Sequence, residues 1–147
     1  MKKLLFCFLL LVGIVCIGCQ NNDIFDIDEV DIDEVDSSND VETLNVIFEK
    51  GKKLLEEGNV NEAIELFNKA LEINNDADWV HGDLGRAKQE NNDLNGAIEC
   101  YTKAIEINNN RSVYYEWRSN AYKLLGKKDL AAKDQKMAEE LHAKGMD

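Results

Sequence analysis

EAIELFNKALEINN (residues 62–75) and GAIECYTKAIEINN (residues 96–109) are near copies of one another, set 34 residues apart. The spacing extends beyond the copied stretch. Ala63, Ala97 and Ala131 share it, as do Ala70, Ala104 and Ala138, then Ile73, Ile107 and Leu141, then Gly51, Gly85 and Ser119. A fixed period of this length marks a stacked array, in which each unit buries its apolar face against its neighbour. Within the first copy Ala63, Ile64, Phe67, Ala70 and Leu71 recur at intervals of three and four, which draws one apolar stripe along a helix. Glu62, Glu65, Asn68, Lys69 and Glu72 largely take the other side.

Outward from these copies, Gly58-Asn59, Asn92-Asp93 and Gly126-Lys127 punctuate the chain, each pair offering a Gly or Asn that adopts the left-handed backbone ending a helix. The pattern predicts an all-α chain with helices near 44–57, 60–73, 78–91, 94–107, 112–125 and 128–142.

The second helix of each copy resembles that of a tetratricopeptide repeat, whose pattern pairs small residues for close helix contact with an aromatic residue four positions after the first Ala, here Phe67 and Tyr101. The resemblance covers about 100 of the 147 residues. It implies a right-handed α-solenoid of three helix-turn-helix tetratricopeptide repeats, at 44–77, 78–111 and 112–145 within a domain of residues 43–147. The chain departs from the family in having no proline, so Asn74-Asn75 and Asn108-Asn109 stand where proline usually follows the second helix. First-helix signatures are blurred as well. The family's aromatic, Leu, Gly and Tyr places read Ile47, Lys50, Gly51 and Leu54, then His81, Leu84, Gly85 and Lys88, then Tyr115, Arg118, Ser119 and Tyr122.

The last second helix differs informatively. Where its predecessors carry Ile64 and Ile98, Phe67 and Tyr101, Leu71 and Ile105, it carries Ala132, Gln135 and Glu139. Those positions would meet a fourth repeat, and large apolar side chains left in water there would forgo about 1.5–3 kcal/mol each. Their replacement reads as a polar cap that ends the array at three repeats and disfavours end-to-end polymerisation.

Family resemblance further implies a concave groove, lined by the first helices, that binds a peptide or a partner's helix. Its groove positions fall on Asn45, Phe48, Lys52, Leu55 and Glu56, on Trp79, Gly82, Arg86, Gln89 and Glu90, and on Val113, Glu116, Asn120, Lys123 and Leu124. The candidate ligand-binding set is Phe48, Lys52, Trp79, Arg86, Gln89, Glu116, Asn120 and Lys123. Against this stand two plainer readings: Phe48 and Trp79 as packing residues, and the basic residues as solvated face. The carboxylate clamp of chaperone-binding relatives is disfavoured, because Phe48, Lys52, Asp83, Val113 and Trp117 occupy its places.

The N-terminus carries a different message. Lys2 and Lys3 precede an uncharged run from Leu4 to Gly18, the pattern of an export signal. At about 1.5 Å per residue such a helix falls short of a hydrocarbon core of roughly 30 Å, so cleavage fits better than a permanent span. Cys16 and Cys19 have Cys-x-x-Cys spacing, but a redox pair needs a folded scaffold and zinc needs further ligands. Ile17-Gly18-Cys19 instead resembles the end of a bacterial lipoprotein signal, with Cys16 where Leu is usual. That resemblance implies a signal peptide of residues 1–18, lipid on Cys19, and a membrane-anchored protein of the bacterial cell envelope. The resemblance also implies that Gln20, being other than Asp, permits outer-membrane sorting in a bacterium with two membranes. A plain signal peptide and an uncleaved anchor remain as alternatives.

The formal net charge is −12, unevenly spread: residues 21–42 hold ten carboxylates and no base, whereas residues 43–147 hold 19 acids and 15 bases. The acidic stretch contains DIDEV twice in tandem, at 26–30 and 31–35, and lacks the glycine that a calcium loop requires. Residues 19–42 therefore read as a lipidated cysteine followed by an extended, disordered tether. Ile24, Ile27, Val30, Ile32 and Val35 leave a second option, a short segment that folds onto a partner.

No clustered basic surface for nucleic acid is visible. His81 and His142 lack ligand spacing, no glycine-rich phosphate loop occurs, and Cys100 sits within an amphipathic helix without an evident base. The sequence implies no enzyme, metal or cofactor. It implies a protein or peptide partner, membrane attachment through lipid, and a monomer or a member of a hetero-complex. Two functions follow: an adaptor that holds a partner in its groove, or a structural part of an envelope complex contacted through the convex face or the tether.

Overall fold

A computed structural model describes residues 40–145, which form six α-helices. They are α1 (Asp40–Glu56), α2 (Val60–Ile73), α3 (Asp78–Glu90), α4 (Leu94–Ile107), α5 (Ser112–Leu124) and α6 (Lys128–Ala143). Among the described residues there is no strand, and no helix is long and apolar enough to cross a membrane. The export signal, Cys19 and the acidic stretch up to residue 39 lie outside the described residues. Helix α1 begins four residues before the expected 44 and so takes in the end of the stretch assigned to the tether.

The turns inside each pair have one design. Gly58, Asn92 and Gly126, each 34 residues from the next, have φ of +83°, +61° and +73°. In this left-handed conformation the next amide reaches back over the helix end: Asn59 to Leu54 O, Asp93 to Lys88 O and Lys127 to Tyr122 O, each at 2.8 Å. Asp93 then caps α4, its side chain accepting from Gly96 N at 3.0 Å.

Between pairs, Asn replaces proline by a specific bond. Asn74 is extended, and its Oδ1 accepts from Asp76 N at 2.9 Å; Asn108 does the same with Asn110 N at 3.3 Å. The following helix is tied to the same turn. His81 Nε2 meets Asn75 O at 2.9 Å, and one repeat later the Tyr115 hydroxyl donates to Asn109 O at 3.3 Å. A His in an aromatic place is thereby explained, since both rings reach one carbonyl.

Each helix packs against the next in sequence, and α1 also touches α3 as α3 touches α5. No contact of comparable extent joins α2 to α4 or α4 to α6. First helices therefore lie closer together than second helices, and the array bends toward them.

The core repeats with the sequence. Ala63, Ala70, Ala97, Ala104 and Ala138 are fully buried, as are Phe67 and Tyr101. A Cβ on Gly51 would stand 2.8 Å from Phe67 Cε1, and one on Gly85 would stand 2.5 Å from Tyr101 Cε1. The aromatic ring thus requires the glycine facing it. In the third repeat Gln135 takes the aromatic place, and Ser119 is admitted opposite, its hydroxyl donating to Ala131 O at 2.8 Å.

That repeat is held differently elsewhere. Leu84 and Cys100 of the second repeat become Arg118 and Asp134, joined by two bonds of 2.7 and 2.8 Å, with a third from Arg118 to Thr102. The Asp134 carboxylate raises the already high pKa of the guanidinium. At the open end Gln135, Glu139 and the exposed Ala132 present a largely polar surface, braced by Lys123–Gln135 and Gln135–Glu139 contacts. Among the described residues no buried side-chain nitrogen or oxygen lacks a partner.

Candidate functional site

The candidate residues separate into two rows. Phe48, Leu55 and Gly82 face the next repeat and are buried rather than presented to a ligand. Phe48, 8% exposed, packs on Phe67 with ring centroids 5.8 Å apart. Gly82 makes room for the following repeat, since a Cβ there would lie 2.8 Å from Tyr114 Cε1 and 3.1 Å from Trp117 Cζ3. Gln89, half-buried, accepts from the Tyr101 hydroxyl at 3.4 Å. Phe48 thus takes its packing alternative, buried against Phe67 in the core, and does not join the ligand surface. In the third repeat the same row carries Glu116 and Lys123. Glu116 meets His142 Nε2 at 2.6 Å, and Lys123 meets Gln135.

The other row faces solvent. It holds the exposed Asn45, Glu49 and Glu56 on α1, Trp79, Arg86 and Glu90 on α3, and Asn120 on α5, with Lys52, Asp83 and Trp117 half-buried among them. Trp79, Lys52, Arg86 and Asn120 are thus brought onto one face. Each cation has a carboxylate one turn before it. Lys52 Nζ lies 3.2 Å from Glu49, and Arg86 donates to Asp83 at 2.9 Å. Lys52 also stands 5.5 Å from the Phe48 ring centre, and Arg86 5.4 Å from that of Trp117. With Glu42 and Glu56 on α1 and Glu90 at the end of α3, the inner face is acidic on balance.

Sequence reasoning missed two features. Trp117 is half-buried between Tyr101 and Tyr114, with centroids 5.9 Å from each, and forms the floor beneath Arg86. The second feature is a pocket of about 280 Å³ at the start of the array, lined by Val41, Leu44, Asn45, Ile73, Asn74 and Trp79. The exposed Val41, on a turn of α1 beyond the expected start, was the signal available.

Among the described residues no group of three or more His, Cys, Asp or Glu is placed to hold a metal ion. Cys100 is buried, and burial pushes its thiol pKa up, away from the reactive thiolate. Burial likewise raises the Tyr101 phenol, and burial together with a bond to Asp78 raises that of Tyr114.

The tetratricopeptide repeat family matches residues 54–121, a little under half of the chain. No curated protein sequence matches. Among solved structures the chain is similar to MamA, with a TM-score of 0.68 at 24% identity, covering 69% of this chain and 60% of that one. It therefore spans less than two thirds of MamA's length. It is also similar to the first TPR of Spaghetti (RPAP3) bound to the HSP90 peptide SRMEEVD, with a TM-score of 0.65 at 25% identity, covering 73% and 82% of the two chains. A third similar structure is the type III secretion translocator chaperone SycD of Yersinia enterocolitica, with a TM-score of 0.68 at 17% identity, covering 69% and 77%. The fold is an all-α helical repeat.

Proposed function

We propose that this protein is a membrane-anchored protein–protein interaction module that holds a peptide or helix of an envelope partner against the inner face of its first helices. The observation that carries the reading is the alignment of Trp79, Lys52, Arg86 and Asn120, from three successive first helices, on one solvent-facing surface. The similar RPAP3 repeat domain is bound to a peptide, which supports such a use of this fold. That peptide is acidic, whereas the cations here are already paired within their own helices, so an acidic tail is the wrong complement for this face.

Anchoring rests on the sequence. Ile17-Gly18-Cys19 after an uncharged run supports cleavage before Cys19 and lipid on its thiol, and two or three acyl chains make a firm anchor. Residues 20–39 then set the distance between membrane and array. Gln20 supports residence in the outer membrane of a bacterium that has one.

A second reading has its own observation. On the outer face of α6, Leu130 and Met137 are 45% and 38% exposed, where the earlier repeats carry Glu62 and Lys69 or Gly96 and Lys103. An apolar pair confined to the last repeat favours attachment to a complex through the convex side.

One experiment separates the two. Full-length protein is crosslinked in intact cells and its partners recovered. In the groove reading Lys52→Glu with Arg86→Glu changes the recovered partners, and Leu130→Lys with Met137→Lys does not; the convex reading predicts the reverse. Lipid labelling lost in Cys19→Ser, together with membrane association, tests the anchor. Retention of both sinks it.

A further inference from the structure

We propose that the pocket between α1 and the start of α3 is the anchoring socket of the inner face, and that it takes one large apolar side chain from a basic segment of the partner. This deepens the groove reading above and rests on it.

The pocket exists because equivalent junctions are built differently. At the second junction Asp78 accepts from the Tyr114 hydroxyl at 2.8 Å and from Asn108 Nδ2 at 3.1 Å, with Arg111 at 3.8 Å, so a polar cluster fills the space. One repeat earlier the corresponding residues are Leu44, Val80, Asn74 and Ala77. An aliphatic side chain replaces the carboxylate, and Val replaces the tyrosine that reached it. The space stays open, walled by Leu44, Ile73 and the indole of Trp79, which is 37% exposed. Its volume of about 280 Å³ exceeds the ~150 Å³ of an apolar cavity that accepts benzene, so one large aliphatic or aromatic side chain fits.

Charge selects what carries that side chain. Glu42 and Glu72 are exposed sequence neighbours of the lining residues Val41 and Ile73, and the Asp76 amide donates to Asn74, so three exposed acids lie within two residues of the lining. Lys69, one turn before Ile73 on α2, is the base nearest along these elements. Onward from the socket the inner face adds Glu49, Glu56, Asp83 and Glu90 against Lys52 and Arg86. Residues 21–42, with ten carboxylates and no base, end at the first turn of α1, which itself lines the pocket. A segment flanked by Lys and Arg is attracted to such a surface and an acidic one is repelled.

The test uses the full chain and fluorescent peptides of about twelve residues, each with one central Phe flanked by Lys and Arg. Control peptides replace the Phe by Ala or every base by Glu. We expect the basic, anchored peptide to bind at least about tenfold tighter than either control, with affinity falling as salt rises. Asn45→Phe, which fills the pocket from an exposed position, should weaken binding about tenfold or more without changing the melting temperature.

Equal binding of the acidic peptide, or an unchanged affinity in Asn45→Phe, overturns the socket. If peptide affinity nevertheless changes with Lys52→Glu and Arg86→Glu, which make the face more acidic, the groove reading stands while the socket falls. If crosslinked partners are also indifferent to those changes, both fall. Self-association abolished by Asn45→Phe would make a second copy the occupant, and peptide binding seen only after Ile27→Asp and Ile32→Asp would make it the chain's own acidic stretch. Either result refutes the proposal.

Discussion

Replacing Gly85 by Ala tests the contact that gives the array its pitch. In most exposed helix interiors this change is stabilising, by about 1 kcal/mol, because Ala loses less backbone entropy than Gly. Here the added methyl would stand 2.5 Å from Tyr101 Cε1 and 2.7 Å from Cδ1, against a comfortable carbon–carbon separation of about 3.5–4.0 Å. The ring must therefore withdraw by about 1 Å. Tyr101 is fully buried, stacks near Trp117 at 5.9 Å and bonds to Gln89, so withdrawal disturbs the junction with the third repeat. Overpacking of this kind costs about 1–3 kcal/mol, and with two clashing carbons on a fixed ring the upper end applies. Set against the propensity gain, the net destabilisation is about 2 kcal/mol, a fall in melting temperature of about 8–16 °C for a domain of this size. Thermal denaturation followed by circular dichroism at 222 nm measures it. The control is Gly85→Ala combined with Tyr101→Gln, which copies the Ser119–Gln135 arrangement of the third repeat; there the added methyl should be neutral or stabilising. An unchanged or raised melting temperature for Gly85→Ala alone would refute the reasoning.

Three more outcomes are expected. Arg118→Leu strands the Asp134 carboxylate and should cost about 3–5 kcal/mol in urea unfolding, whereas Arg118→Leu with Asp134→Leu, which approximates the Leu84–Cys100 pair, should lie within about 1 kcal/mol of the parent. Tyr114→Phe removes a bond to the buried Asp78 carboxylate and should cost about 1.5–3 kcal/mol by the same assay. Burial raises the Cys100 thiol and the Tyr101, Tyr114 and Tyr115 phenols above their ordinary 9.0 and 10.0, so at alkaline pH the native state binds more protons than the unfolded chain. Stability should therefore be full below about pH 9 and decline as pH rises through 9 and 10, and Tyr101→Phe with Tyr114→Phe should flatten the decline.

The 34-residue period and the 3–4 spacing were enough to place six helices, because both are local consequences of stacking: every repeat must present the same small and large residues at the same depth. Gly58, Asn92 and Gly126 were legible as turns for an equally local reason, since few other residues reach a positive φ at little cost. The polar end of the third repeat could be read from Gln135 and Glu139 by comparison with their apolar counterparts. Tertiary structure decided the rest. Phe48 and Trp79 are both aromatic residues on exposed-looking helix positions, and only the packed structure shows Phe48 buried against Phe67 while Trp79 stays open. The pairing of Lys52 with Glu49 and of Arg86 with Asp83, which turns apparent ligand cations into parts of an acidic face, depends on rotamers that a sequence does not carry. The pocket beside Trp79 arises from Leu44 and Val80 standing where the next repeat has Asp78 and Tyr114. A difference of that kind has consequences only once two helices and a turn fix the space between them.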